Sequence, residues 1–186
     1  MTLVRYVYEL AGDGDAAAIA ELHVRSWRSA YRGHVPDAFL DDGDLAGRQA
    51  GRWAGRFADR DGTITVVARD SGLAVAGFAH TVLDHDPRLG NFLDNLHVRP
   101  DLKRHGIGRR LLAETAVRLH DAGAPDRLYL EVIETNEAAR GFYEALGGVE
   151  TERRTDRFGD QDVPILVYAW DSLDPLAAPL RLGPSS

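Results

Sequence analysis

The chain has 186 residues, of which 44% are hydrophobic and 27% charged, the proportions of a folded globular protein rather than a disordered one. It contains no cysteine, which excludes disulfides, thiolate metal sites and a cysteine nucleophile. A net charge of -7 argues against a general nucleic-acid binder, because phosphate contacts require a basic face.

The length suits one domain, expected over residues 1–170 and followed by a loose tail over 171–186 with three prolines. The amino-terminal stretch MTLVRYVYELAGDGD lacks the apolar run of a signal peptide, and no segment approaches the ~20 apolar residues of a membrane span. A cytoplasmic protein without membrane or nucleic-acid partners is expected.

Alternation over residues 4–9 predicts a first strand. Asp13-Gly14-Asp15 supplies turn and cap chemistry for a helix over 16–31, with Ile19, Leu22, His23, Trp27, Ala30 and Tyr31 at helical spacing. A second helical region covers 37–59, interrupted near Gly43, with Leu45, Trp53 and Phe57 on one side. Strands are expected over 63–69 and 73–82 around an Asp70-Ser71-Gly72 turn, then a loop over 85–90 and a strand over 92–98. A helix over 106–122 buries Ile107, Leu111, Leu112, Thr115, Ala116 and Leu119, and Gly123-Ala124-Pro125 ends it. A strand over 127–133, a helix over 136–146 and a hairpin of 149–157 with 163–170 complete the order β-α-α-β-β-β-α-β-α-β-β. Crossover units imply parallel pairing and hairpins imply antiparallel pairing, so the fold class is α/β with one mixed sheet.

Two repeated features invite a functional reading. Arg48, Arg52, Arg56 and Arg60 recur every four residues on one helix face, which in an acidic protein reads as a solvated stripe rather than a nucleic-acid surface. The seven histidines show no ligand-type spacing, so no metal is indicated.

The most informative segment is the basic turn Lys103-Arg104-His105-Gly106-Ile107-Gly108-Arg109, between a strand and a helix. A helix start offers free N–H groups and the positive end of the dipole, which suit a diphosphate, and glycine lets a ligand approach the backbone. Leu111 stands where a Rossmann fingerprint needs its third glycine, and no Gly-Lys-Ser/Thr follows, so neither common nucleotide motif applies.

These residues resemble the GCN5-related N-acetyltransferases (GNAT), whose pyrophosphate turn has the form Gln/Arg-x-x-Gly-x-Gly/Ala. Lys103 departs conservatively at its first position, and Arg104 stands where the family often has glycine. The second family segment runs from Leu130 through Asn136 and Tyr143 to Gly147, with Gly148 in place of the customary aromatic residue. The resemblance covers roughly residues 3–170. It implies a mostly antiparallel sheet with a central, splayed parallel pair, flanked by helices on both faces. It also implies acetyl-CoA as cosubstrate, with no metal.

What the resemblance implies can be assigned residue by residue. The segment Leu96-His97-Val98 is expected to meet the pantetheine arm, chiefly through the main chain of Leu96 and Val98. Lys103, Arg104, His105, Gly106, Ile107, Gly108 and Arg109 are expected to hold the pyrophosphate. Asn136 occupies the family position that contacts coenzyme A, and it could cap its helix in either case. Tyr143, two turns further on, corresponds to the acid that protonates the thiolate. Glu131 or Asp94 is the candidate base, with no dedicated base as the alternative. Strand parity puts the His97 side chain opposite Asp94 and away from the reaction. Trp27 and Tyr31 are candidate acceptor-pocket residues, or simply core. The expected reaction is acetylation of a small-molecule primary amine by direct attack. The alternatives are a protein N-terminal acetyltransferase and a silent acyl-CoA-binding module. The edge of the last hairpin offers a route to a homodimer.

Overall fold

The structure, a computed structural model, describes residues 6–181. Seven strands, β1 (Val7–Leu10), β2 (Thr63–Arg69), β3 (Val75–Asp86), β4 (Gly90–Val98), β5 (Leu128–Ile133), β6 (Val149–Phe158) and β7 (Gln161–Trp170), form one sheet in the order β1-β2-β3-β4-β5-β7-β6. The helices are α1 (Ala16–Ala30), α2 (Asp37–Leu40), α3 (Leu45–Ala58), α4 (Ile107–Asp121), α5 (Glu137–Glu144) and α6 (Asp174–Arg181). The mixed α/β class is therefore found, with the second helical region broken into α2 and α3 around Gly43. Residues 4 and 5 of the expected first strand lie outside the described residues.

Alternation of side chains sends each strand's apolar residues to two different layers. Val67 and Phe78 meet Ile19, Leu22 and Trp53 of α1 and α3 on one face. On the other face Val66, Ala79 and Leu93 meet Ile107, Leu111 and Leu112 of α4. The sheet is thus buried on both sides at its centre, where the site lies.

Every neighbouring strand pair is antiparallel except β4 and β5. That parallel pair is short. Asn91 faces Leu128 and Phe92 faces Tyr129, after which the two strands separate although each continues for several residues. Beside this opening β4 carries a bulge: His80 pairs with Asn95 but Thr81 pairs with Leu93, leaving Asp94 without a counterpart.

The segment expected as a loose tail is structured as far as Arg181. Leu173, Leu176 and Ala177 have helical spacing and are buried in the core cluster that includes α4, and Asp126 accepts from the Leu173 N–H at 3.0 Å. Pro175 did not break this helix because it falls in the first turn, where no intrahelical N–H is required. The edge strand β6 bears charges at Glu150, Glu152, Arg153, Arg154, Asp156 and Arg157, a composition that blunts pairing between sheet edges.

Candidate active site

The opening between β4 and β5 is lined by backbone that the sheet leaves unused. The Arg99 N–H donates to the Ala76 carbonyl at 2.8 Å, which fixes Arg99 and, by register, His97 as the positions bonded to β3. The N–H and C=O groups of Leu96 and Val98 consequently point away from β3, toward the gap. Their side chains pack against the α4 layer.

Beyond Val98 the chain enters the basic turn and then α4. Gly106 is left-handed at φ 78°, a conformation that glycine adopts without a Cβ penalty. Arg104 adopts φ 67° without that freedom, so the place where the family often has glycine is a strained one here. No described side chain caps α4, and the N–H groups of Ile107, Gly108 and Arg109 carry no hydrogen bond to a described group beyond the helix. The Ile107 side chain is buried in the core, whereas Lys103, Arg104, His105 and Arg109 are exposed. Gly108 lies against Phe142, whose ring would be 3.4 Å from a Cβ placed there. Together these form an uncapped, positively charged cradle open to an anion.

Across the gap, β5 leads into α5. The Asn136 Oδ1 accepts from the Ala139 N–H at 3.2 Å, so its side chain does cap the helix. Tyr143 stands among Phe142, Tyr168 and Trp170, at ring separations of 5.2, 6.4 and 6.3 Å. Its hydroxyl has no hydrogen-bond partner among the described residues. Burial, with the Tyr31 phenol nearby, pushes it well above the ordinary tyrosine range, so it is a protonated donor at neutral pH. The Trp170 indole N–H donates to the Leu146 carbonyl at 2.9 Å, and its ring would lie 2.7 Å from a Cβ on Gly148. Trp170 thus fills the space that the customary aromatic residue would need.

The α1/α3 face of the opening holds the two candidate bases. Phe92 stacks on Tyr129 at 4.9 Å, and Asp94 and Glu131 each follow two residues later, on opposite lips. Glu131 is exposed and accepts from Arg154 at 2.7 Å. The Asp94 Oδ2 accepts from Arg56 and from the Asn95 amide at 2.6 Å, and Arg52 stands 3.8 Å away. Tyr31 closes the same lip, its phenol pushed up to about 12 by burial and by the Asp94 carboxylate. Trp27 packs against Tyr31 at 5.6 Å and Phe39 at 5.9 Å, and Phe39 against Phe158 at 5.6 Å, so aromatic rings link α1, α2 and the β6–β7 hairpin.

Two expectations need correction. The bulge restores His97 to the Asp94 face: Asp94 meets α3 while the His97 ring bonds Ser26 of α1 at 3.0 Å. His97 is buried there, away from the gap, with its main chain paired to β3. The arginine stripe is not simply solvated. Arg48 pairs with Asp42 at 2.8 Å, Arg60 with Asp13 at 2.9 Å, and Arg56 lies 4.9 Å over Trp53 while holding Asp94. Arg52, Arg56, Phe92 and Tyr129 also border the opening and were missed, because strand register brings Phe92 and Tyr129 there and the packing of α3 across β4 brings Arg52 and Arg56.

Comparison with known proteins agrees with this architecture. Residues 16–148 match the model of the acetyltransferase (GNAT) family. The chain is 34% identical over 101 residues to the [ribosomal protein bS18]-alanine N-acetyltransferase of Salmonella typhimurium, a match spanning 52% of this chain and 64% of that protein. Its fold is like that of the PaiA N-acetyltransferase of Thermoplasma acidophilum, solved with coenzyme A (TM-score 0.69, 15% identity, 89% of this chain and 99% of that one). It is also like the yncA protein of Salmonella typhimurium, solved with acetyl-CoA (TM-score 0.62, 18% identity, 91% and 94% covered). On the strength of the family match, which runs from the start of α1 past the end of α5, the chain belongs to the GNAT family of N-acetyltransferases.

Proposed function

We propose that the protein transfers an acetyl group from acetyl-CoA to a primary amine of a small molecule by direct attack. One observation carries this reading: the parting of β4 and β5 beside an uncapped, basic α4 N-terminus, with unused main-chain groups at Leu96 and Val98. Three free N–H groups and open space around Gly106 fit a diphosphate, and a strand edge with free N–H and C=O groups fits an amide-bearing arm.

Acetyl-CoA supplies the activated acyl group; the chain's own residues do the rest. Main-chain N–H groups at the β4 opening orient the thioester and stabilise negative charge as it develops on the carbonyl oxygen. The amine nitrogen bonds to the acetyl carbon while the carbon–sulfur bond breaks. Glu131 takes the amine proton through water, and Tyr143 gives a proton to the departing thiolate. Asp94, with one oxygen engaged by Arg56 and Asn95, orients the acceptor instead of acting as base. The Asn136 amide nitrogen remains available beside the gap even though its carbonyl oxygen caps α5.

The relative that acetylates the ribosomal-protein alanine supports a second reading, in which the acceptor is a protein α-amino group. Acetyl-CoA turnover, followed as free thiol across small amines, amino acids, aminoglycosides and N-terminal peptides, tests both. Acceptor-dependent release with small amines is expected, release with peptides alone would establish the second reading, and no release with no acetyl-CoA binding would overturn both.

A further inference from the structure

The acceptor-facing side of the opening is electrically polar. On the α3 lip, Arg52 and Arg56 share one carboxylate, Asp94, so a positive charge is in excess. Arg52 is only loosely engaged, with 48% of its side chain exposed and 3.8 Å to Asp94. The Arg56 Nη1 is buried with no hydrogen-bond partner among the described residues, and a buried donor of this kind requires an acceptor. The neighbouring imidazoles add no charge. Burial pulls His80 and His97 down to about 4 and His23 to about 2.

The β5 lip has the opposite bias. Glu131 and Glu152 share Arg154, while Glu152 and Asp86 share Arg88, which leaves a negative charge in excess. Glu131 is the member of this network nearest the opening. Between the lips, the stacked Phe92 and Tyr129 rings provide an apolar floor.

We propose that the acceptor is an amine that also carries a carboxylate, with Arg52 and Arg56 binding the carboxylate while the amino group lies toward Glu131. This rests on the acetyltransferase reading above and narrows its acceptor class. A peptide N-terminus lacks a carboxylate beside its amine, whereas a free amino acid or a short amino-carboxylic acid has both groups. Arg52 is the specificity-determining residue most open to test, because it is half exposed and its loss leaves the Arg56–Asp94 pair intact.

The experiment compares thiol release with matched acceptors: amino acids against their amides, and ω-amino acids against alkylamines of equal length. The acids should exceed their neutral partners by about tenfold or more in kcat/KM, the value of one charge-assisted hydrogen-bonded contact. Arg52→Gln should raise the acceptor KM by about tenfold for the acids only, leaving the neutral amines and the acetyl-CoA KM unchanged. Arg52→Lys should restore part of the loss, since it returns the charge without the planar fork. Equal use of acids and amides, or an equal loss on both in Arg52→Gln, overturns the acceptor assignment while the acetyltransferase reading stands. Absence of release with every acceptor, together with no acetyl-CoA binding, overturns that reading and the assignment with it.

Discussion

Phe92 and Tyr129 stack at 4.9 Å on the last register position that β4 and β5 share. Their rings close the sheet beneath the opening, and the strand residues assigned to the reaction lie beyond them: Asp94, Leu96 and Val98 on β4, Glu131 on β5. A parallel pair that stops after two positions leaves strand backbone unpaired inside a sheet. Unpaired buried backbone polar groups are costly, so this geometry is stable only if water or a ligand occupies the gap.

Tyr143→Phe removes the hydroxyl and little else, since no described residue bonds to it. Turnover should fall about 100-fold or more while acetyl-CoA affinity stays within about threefold. Steady-state kinetics and calorimetry on the same preparation check this. Unchanged turnover would remove Tyr143 as the acid.

Gly148→Ala places a methyl 2.7 Å from the Trp170 ring and 3.0 Å from the Tyr143 carbonyl. One contact is a packed indole and the other is backbone, so neither yields cheaply. A loss of about 1–3 kcal/mol is expected, lowering the melting temperature by ~3–10 °C. A melt within 1 °C of wild type (about 0.3 kcal/mol) would mean that Trp170 is not fixed there.

The Lys103–Gly108 turn was legible from sequence because its chemistry is local: glycines, positive charge and the start of a helix are contiguous. The chain order of strands and helices followed from alternation and helical spacing, whereas helices on both faces of the sheet were implied by the family resemblance, and the strand order within the sheet came only with the structure. The orientation of His97 was not, because parity counts residues and the bulge at Asp94 shifts that count by one. Nor was the use of Arg52 and Arg56, which depends on α3 lying across β4 and not on any pattern within α3. The helix over Asp174–Arg181 was hidden by its prolines. Its apolar spacing, Leu173 with Leu176 and Ala177, was present throughout.

That helix leads to a further expectation. Leu173 is fully buried, so Leu173→Ala should cost about 2–5 kcal/mol in chemical denaturation. An unchanged midpoint would return the segment to the status of a loose tail.

Arg104→Gly exchanges a residue at φ 67° for one that adopts this conformation freely. Thermal stability should rise by the equivalent of about 1 kcal/mol, while the acetyl-CoA KM increases a few-fold through loss of a cation at the turn. A fall in both stability and KM would contradict the strain and the cradle together.

Acid stability carries the signature of the buried imidazoles. His80 and His97 titrate at about 4 in the folded chain, below the ~6.5 of an unfolded histidine. The unfolded state therefore binds more protons in this window, and each histidine withdraws of order 3 kcal/mol as pH falls from ~6.5 to ~4. Melting temperatures recorded across that range should drop steeply, and His97→Gln should flatten part of the slope. A flat wild-type profile would mean that these rings are not buried neutral.

The most direct measurement is an amide chemical-shift map of the isotope-labelled protein titrated with acetyl-CoA. The largest changes should fall on Leu96, Val98 and the start of α4 at Ile107, Gly108 and Arg109, with His97 less affected because its N–H is bonded to β3. Changes confined to another surface, or none at saturating acetyl-CoA, would contradict binding between the parted strands.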